Sequence, residues 1–289
     1  MWQRWRERLI EQTIAASGIF SIMIVVLIFL FLLKEGLALF RTESLAAFLG
    51  GDRWYPISEP PRFGILPMIL GSCVVTLGAI VLAVPVSIAS ALFISEIAQG
   101  WSKDILKAGI ELLAAIPSVV LGFLGMAVLA PWIKQSFHLA TGLTALTGSI
   151  TLALMAMPTI VSITDDALAA VPRGYREAAL ALGATRWQMM ARVLLPAARP
   201  GILAAAMLGI GRVMGETMAV MMVTGNAAVI PHSLLQPVRT MTATIAAEMG
   251  EAVRGSDHYF ALFAIGIVLF VISFILNVLA DLFLHRERS

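Results

Sequence analysis

Charge is what this sequence has least of. Asp, Glu, Lys and Arg supply 13% of its 289 residues, about half of the roughly 25% found in soluble domains. The net charge of +2 is too small to hold a polyanion such as nucleic acid. There is one cysteine, Cys73, so no internal disulfide can form; lying in an apolar run, it reads as a small core residue. No Gly-Lys pair occurs, which removes a P-loop ATPase, because the phosphate-cradling loop ends in Gly-Lys followed by Ser or Thr. His-Glu-x-x-His, Gly-x-Ser-x-Gly and any cysteine cluster are also missing. The four histidines, His138, His232, His258 and His285, fall in loops or at the ends of apolar runs. A hydrolase or metal enzyme working inside a membrane needs such groups at depth, so the chain reads as no enzyme, with no catalytic residue and no metal site.

Apolar residues reach 59% against the roughly 45–50% of soluble domains. They come in uncharged runs of about twenty residues or more, the length that crosses a bilayer as helix. Six spans are expected, at 13–36, 66–95, 111–133, 140–164, 200–224 and 259–283, so the chain reads as one all-α integral membrane domain over 1–289. Arg4, Arg6 and Arg8 precede the first run as they would in a secretory signal. Residues 13–33, however, are uncharged and end in Phe29-Leu30-Phe31-Leu32-Leu33, longer and bulkier than a cleavable segment of about 7–15 residues. A retained span is expected there, and a kink at Pro85 in the second span. Six spans put both chain ends on one side with loops 96–107 and 165–199. That side carries twelve Lys and Arg and the other seven, with Arg212 in neither; by the positive-inside rule the richer side is cytoplasmic.

Two loops on the poorer side have content. In 37–62 the aromatics Phe40, Phe48, Trp54 and Tyr55 beside Pro56, Pro60 and Pro61 read as an interfacial connector, with a docking surface for an external partner as the alternative. In 240–253, Met241, Thr244, Ile245, Met249 and Val253 share one helical face, with Glu248 and Glu251 off it, which suggests a helix lying along the membrane surface.

The loop 165–199 is rich in helix formers. Asp165 and Asp166 point about 100° apart on a helix and do not readily share a ligand; they mark where the fourth span meets water. From Glu177 to Leu182 a short helix is expected, stopped by Gly183 in a left-handed conformation. Thr185 then caps a second helix through Trp187, Met189 and Val193 to Pro196. Such a pair, with Leu182, Trp187 and Met190 exposed, fits a groove on another protein; the plainer alternative is a basic loop near anionic headgroups.

Arg212 is the twelfth of the 24 residues 201–224, near mid-bilayer. A lone Arg there costs about 2.5–3.5 kcal/mol on insertion scales and needs a partner or a wet cavity. Glu216, four residues on, is the expected partner on the same helical face. Gly209, Gly211 and Gly215 leave room for a ligand, and the guanidinium fork matches the paired oxygens of an oxyanion. Glu216 would orient Arg212 or accept a proton, Thr217 would donate to an oxygen, and Ser118 after Pro117 is a further candidate to line a pathway, since proline frees a carbonyl nearby. A structural ion pair that fixes helix packing is the alternative.

Glu177-Ala178-Ala179, Gly183 and Val193-Leu194-Leu195-Pro196 resemble the EAA loop of ABC-importer permeases, departing only at Val193, where that family usually has Ile. Gly211-Arg212-Val213-Met214-Gly215-Glu216-Thr217-Met218-Ala219-Val220 is similar to the signature of phosphate-specific importer permeases of the PstC type. Ile116-Pro117-Ser118-Val119-Val120 and the run from Leu168 to Arg176 look like the same family. The resemblance implies a type I ABC importer permease fold with six helices and import of inorganic phosphate across a bacterial inner membrane, both termini cytoplasmic. It implies a coupling role for Glu177, Ala178, Ala179, Gly183, Leu195 and Pro196. It also implies a second permease of the PstA type, an ATPase dimer that binds the ATP and Mg, an external phosphate-binding protein, and surrounding lipid. An ABC permease for sulfate or molybdate is the near alternative, and a secondary anion transporter the remoter one.

Overall fold

The computed structural model describes the backbone of residues 2–286 and the side chains of 10–279 and Leu282. The side chains of Arg4, Arg6, Arg8, Arg286 and Arg288, which entered the charge count, lie outside the described residues. Helix dominates. In chain order the elements are α1 (Trp2–Gly36), α2 (Leu45–Gly50), a two-stranded antiparallel hairpin β1 (Trp54–Tyr55) and β2 (Arg62–Phe63), α3 (Leu66–Leu92), α4 (Trp101–Ala115), α5 (Ser118–Leu124), α6 (Ala130–Ser136), α7 (Ala145–Ala169), α8 (Arg173–Ala181), α9 (Arg186–Met189), α10 (Leu195–Gly215), α11 (Met218–Val223), α12 (Met241–Glu248) and α13 (Asp257–Arg286). Among the described residues six helical runs are long and apolar enough to cross a membrane: Ile10–Arg41, Leu66–Ile97, Ser118–Ser136, Ala145–Ala169, Arg186–Gly215 and Asp257–Leu279.

The centre is α7, with α3 along one side and α10 along another. Lipid tails are as apolar as Leu, so small residues and interhelical hydrogen bonds decide where such helices meet. Ser149 on α7 donates to the Val75 carbonyl of α3 at 3.2 Å, and Gly78 leaves no room for a Cβ against Ser149. On the α10 side a Cβ at Gly209 would stand 2.6 Å from Ile160 Cδ1. Val75, Ala79, Leu152, Ala156, Ile160 and Ala205 form the buried seam between the three helices. The first span lies outside this core against α13, where Phe29 stacks on Phe270 with centroids 4.5 Å apart.

Several expectations are corrected. The third span does not begin at 111. α4 is a separate helix with no buried residue; the chain turns extended at Ile116, φ −68 and ψ 125, as a residue before proline is pushed to do, and the membrane run starts at Ser118. Cys73 is exposed, on the outward side of α3, and is no core residue. Loop 37–62 is largely exposed but anchored, with Leu39, Phe48 and Trp54 buried in one cluster with residues of α12 and α13. In 240–253 the first turns pack inward: Thr240 caps α12, and Met241, Thr242, Ala243 and Thr244 are buried. In the helix pair Met190 is buried, and the second helix does not stop at Pro196. It continues from Arg186 to Gly215 through a wide π turn at Met190–Leu194, placed where the Pro196 ring would otherwise press on the Arg192 carbonyl.

Candidate functional site

α10 ends at Gly215, and the next two residues leave the helix: Glu216 is extended, φ −69 and ψ 133, and Thr217 lies at φ −119 and ψ −58. A new helix, α11, then starts at Met218. Glycine is the weakest helix former after proline, and at Gly211 and Gly215 an added Cβ would meet nothing within 4 Å. The break therefore opens onto free space.

This break dissolves the expected Arg212–Glu216 pair, because an i to i+4 contact needs one unbroken helix. Glu216 Oε1 instead accepts from the Ala219 N–H at 3.2 Å, satisfying one of the donors that any helix start leaves unpaired. The Glu216 carbonyl accepts from the Thr242 hydroxyl at 2.9 Å, which ties α12 to the break. Thr217 does not offer its proton outward; it donates to the Gly215 carbonyl at 3.2 Å. Arg212 is exposed and donates from Nη1 to Thr159 Oγ1 on α7 at 2.9 Å. Thr159 had no sequence signal beyond its place after Pro158. Ser118 is half-buried at the start of α5, which crosses α11 so closely that a Cβ at Gly122 would be 2.8 Å from Ala219 Cα.

At the end of the bundle that carries α8, Gly183 takes φ +81 after α8, and Thr185 with Gln188 forms a capping box at the head of α9. Glu177 and Ala178 are exposed, Ala179 is buried, Leu195 is half-buried and Pro196 exposed. Leu182 and Trp187 stand 89% and 68% exposed. Sequence reasoning missed what anchors this pair. Arg176 donates from Nη2 to Glu96 Oε1 at 2.8 Å and to the Leu168 carbonyl at 2.9 Å, and from Nη1 to the Val171 carbonyl at 2.8 Å. Glu96 is the first charge after the uncharged stretch from Phe63, the one signal available. Lys107 on α4 meets Asp165 at 2.7 Å; that hydrogen bond, then the field of Asp165, Asp166 and Glu111, raises the lysine above its ordinary 10.5.

The opposite end holds another unforeseen cluster. Glu248 accepts from Arg239 Nη1 at 2.6 Å and from the Trp54 indole at 2.9 Å, and lies 2.9 Å from His258 Nε2. An open cavity of about 580 Å³ lies beside it, lined by Asp52, Arg53, Tyr55, His232 and Gln236 among others. No group of three His, Cys, Asp or Glu close enough to hold a metal occurs among the described residues.

A helical bundle with one exposed Arg at a helix break and an exposed apolar knuckle at one end suits a transport subunit. Residues 83–289 match the family described as binding-protein-dependent transport system inner membrane component. The chain belongs to that family. This permease is 42% identical over 277 residues, 95% of it and 90% of the relative, to the probable ABC transporter permease protein YqgH of Bacillus subtilis. It is 38% identical over 259 residues, 83% of it and 78% of the relative, to the phosphate transport system permease protein PstC of Mesorhizobium japonicum. A chain from the crystal structure of a bacterial ABC transporter involved in import of the acidic polysaccharide alginate superposes with TM-score 0.66 at 16% identity, covering 99% of the permease and 100% of that chain; that likeness speaks to fold alone. The fold is that of type I ABC importer permeases, and the permease is a multi-pass inner-membrane protein.

Proposed function

We propose that this permease forms one half of the membrane pathway of an ATP-driven importer of inorganic phosphate. The observation that carries the reading is Arg212: a guanidinium exposed at the end of a membrane-crossing helix run, with a neutral hydroxyl as its partner. Its charge is left for an anion, and its fork suits two oxygens of a tetrahedral one. The relative from Mesorhizobium japonicum, named as a phosphate transport permease, supports phosphate as that anion. Ser118, Glu216 and Thr217 line the same break, Glu216 and Thr217 by shaping it through backbone hydrogen bonds. Binding here is weak, since a transit point that held its ion tightly would not release it.

The rest of the machine lies in other chains. A second permease of the PstA type closes the pathway over the open side of Arg212, and a pair of ATPase subunits binds ATP and Mg and does the hydrolysis. The helix pair around Gly183 docks on the ATPase, with Leu182 and Trp187 as the knob and Glu177, Ala178, Ala179, Leu195 and Pro196 shaping it. The face beside the hairpin and its cavity receives a phosphate-binding protein. The charge count of twelve against seven puts the helix pair and both termini in the cytoplasm.

The test is reconstitution in proteoliposomes with those partners, measuring phosphate uptake and phosphate-stimulated ATPase, with sulfate and molybdate as competing substrates. Arg212→Gln is expected to assemble and lose most uptake, and Arg212→Lys, lacking the fork, to recover part of it. Wild-type uptake by Arg212→Gln would remove Arg212 from the pathway; uptake of sulfate or molybdate in preference to phosphate would reassign the substrate. Cysteines at Gln188 and Ser58 test the orientation: an impermeant thiol reagent should reach only the second in intact cells.

A further inference from the structure

We propose that Thr159 is a positioning residue for Arg212, holding Nη1 so that the rest of the guanidinium presents a fixed edge to a passing tetrahedral oxyanion. The inference rests on the reading of Arg212 as a pathway residue.

The geometry points to Thr159 for three reasons. First, it is the hydrogen-bond partner of Arg212, at 2.9 Å, and it comes from another helix, so it fixes the guanidinium against the core and not only against its own backbone. Second, that core is rigid at this level. Pro158 and Ile160, on either side of Thr159, are both buried, and the close fit of Gly209 on Ile160 locks α10 to α7 one turn before Arg212. Threonine adds stiffness of its own, since branching at Cβ restricts χ1. An exposed arginine otherwise spreads over many rotamers; one charge-assisted bond to a stiff acceptor selects among them.

Third, the partner is neutral. A carboxylate would hold the guanidinium more strongly, but it would compensate the charge and compete with the anionic ligand for the same N–H groups. A hydroxyl oxygen orients without neutralising. The nearby carboxylate that could have played the competing part, Glu216, is turned to the Ala219 N–H by the helix break. The break and the hydroxyl therefore act together: one removes the counter-ion and the other supplies the aim.

The experiment uses the reconstituted importer, with inorganic phosphate as the probe, and compares Thr159→Val, Thr159→Ser, Arg212→Gln and the Thr159→Val/Arg212→Gln double variant. Thr159→Val keeps the shape and removes the acceptor. It is expected to lower kcat for uptake about tenfold with KM unchanged, because the external binding protein captures the ion. Thr159→Ser should stay within about twofold of wild type. On the Arg212→Gln background the valine change should add nothing, since Thr159 acts through the guanidinium. Near wild-type uptake by Thr159→Val, with uptake lost in Arg212→Gln, would overturn this inference and leave the pathway reading standing. Wild-type uptake by Arg212→Gln would overturn both. A further loss in the double variant, or failure of both Thr159→Val and Thr159→Ser to assemble, would make Thr159 a packing residue and overturn the inference.

Discussion

Two arginines, thirty-six positions apart in one continuous stretch, solve the same electrostatic problem in opposite ways. Arg176 is bonded within the fold through all three of its nitrogens: Nε and Nη2 donate to Glu96, Nη2 also to the Leu168 carbonyl and Nη1 to the Val171 carbonyl, and its side chain is 20% exposed against 11% for Glu96. Arg212 is exposed and bonded to one hydroxyl. A guanidinium bonded within the fold through every nitrogen holds the fold together; one bonded through a single nitrogen has donors left for something else. Arg176 thus rivets α8 to the turn after α3 and to the end of α7, and Arg212 keeps donors that the fold does not spend.

The comparison breaks most visibly at Arg176. Arg176→Ala strands Glu96 and two carbonyls in a largely dry place, and about 3 kcal/mol of stability should go with it. The measurement is the thermal midpoint in detergent beside the Glu96→Ala variant and the double variant, which should be non-additive. Equal midpoints for wild type and Arg176→Ala would show that the rivet carries no load. Next in size is Gly183→Val. Nothing stands within 4 Å of its missing Cβ, yet φ is +81, so the whole cost, about 1 kcal/mol or more, is backbone strain. Relief by twisting α9 should weaken ATPase association more than it lowers the permease's own midpoint; unchanged association would reduce the helix pair to a connector.

A smaller effect belongs to Lys107 and Asp165. The folded lysine is raised, so the pair's contribution is complete below the ordinary 10.5 and fades as pH climbs through the higher folded value. Nearly half of the lysine side chain is exposed, so the contribution stays below about 1 kcal/mol. The midpoint gap between wild type and Lys107→Met should close with rising pH; a gap that widens would mean the sign is wrong. The smallest expected change in stability is at Arg212. Arg212→Gln should stay within about 0.5 kcal/mol of wild type while uptake falls. A large loss of stability there would make the two arginines alike and the contrast false.

Much of this was readable before any coordinates. Apolar runs announce spans because a bilayer accepts only backbone whose hydrogen bonds are met within the segment, and six such runs are visible by eye. Gly183 and Thr185 were readable as stop and start because their effects are local: one needs φ above zero and the other a cap three residues on. Arg212 was paired with the wrong residue. Periodicity puts Glu216 one turn from Arg212, and nothing in the run from Gly201 to Thr224 announces that Glu216 itself will turn extended. Thr159 and Glu96 were invisible as partners, since each is an ordinary residue until another helix is packed against it. Trp54, Arg239, Glu248 and His258 are spread over 205 positions, counting both ends, and no sequence pattern joins them.

Composition and local pattern alone settled the solvent this chain lives in, the number of crossings and the site of the helix pair. These depend on transfer free energy and backbone preference, which are sums over neighbours in sequence. Only the packed structure decided which charges are spent on holding helices together and which is left over. That choice depends on distances between residues far apart in the chain: the 2.9 Å from Arg212 to Thr159 exists because Gly209 lets α10 lie against α7, and the freedom of the remaining donors exists because a helix stopped one residue short of Glu216.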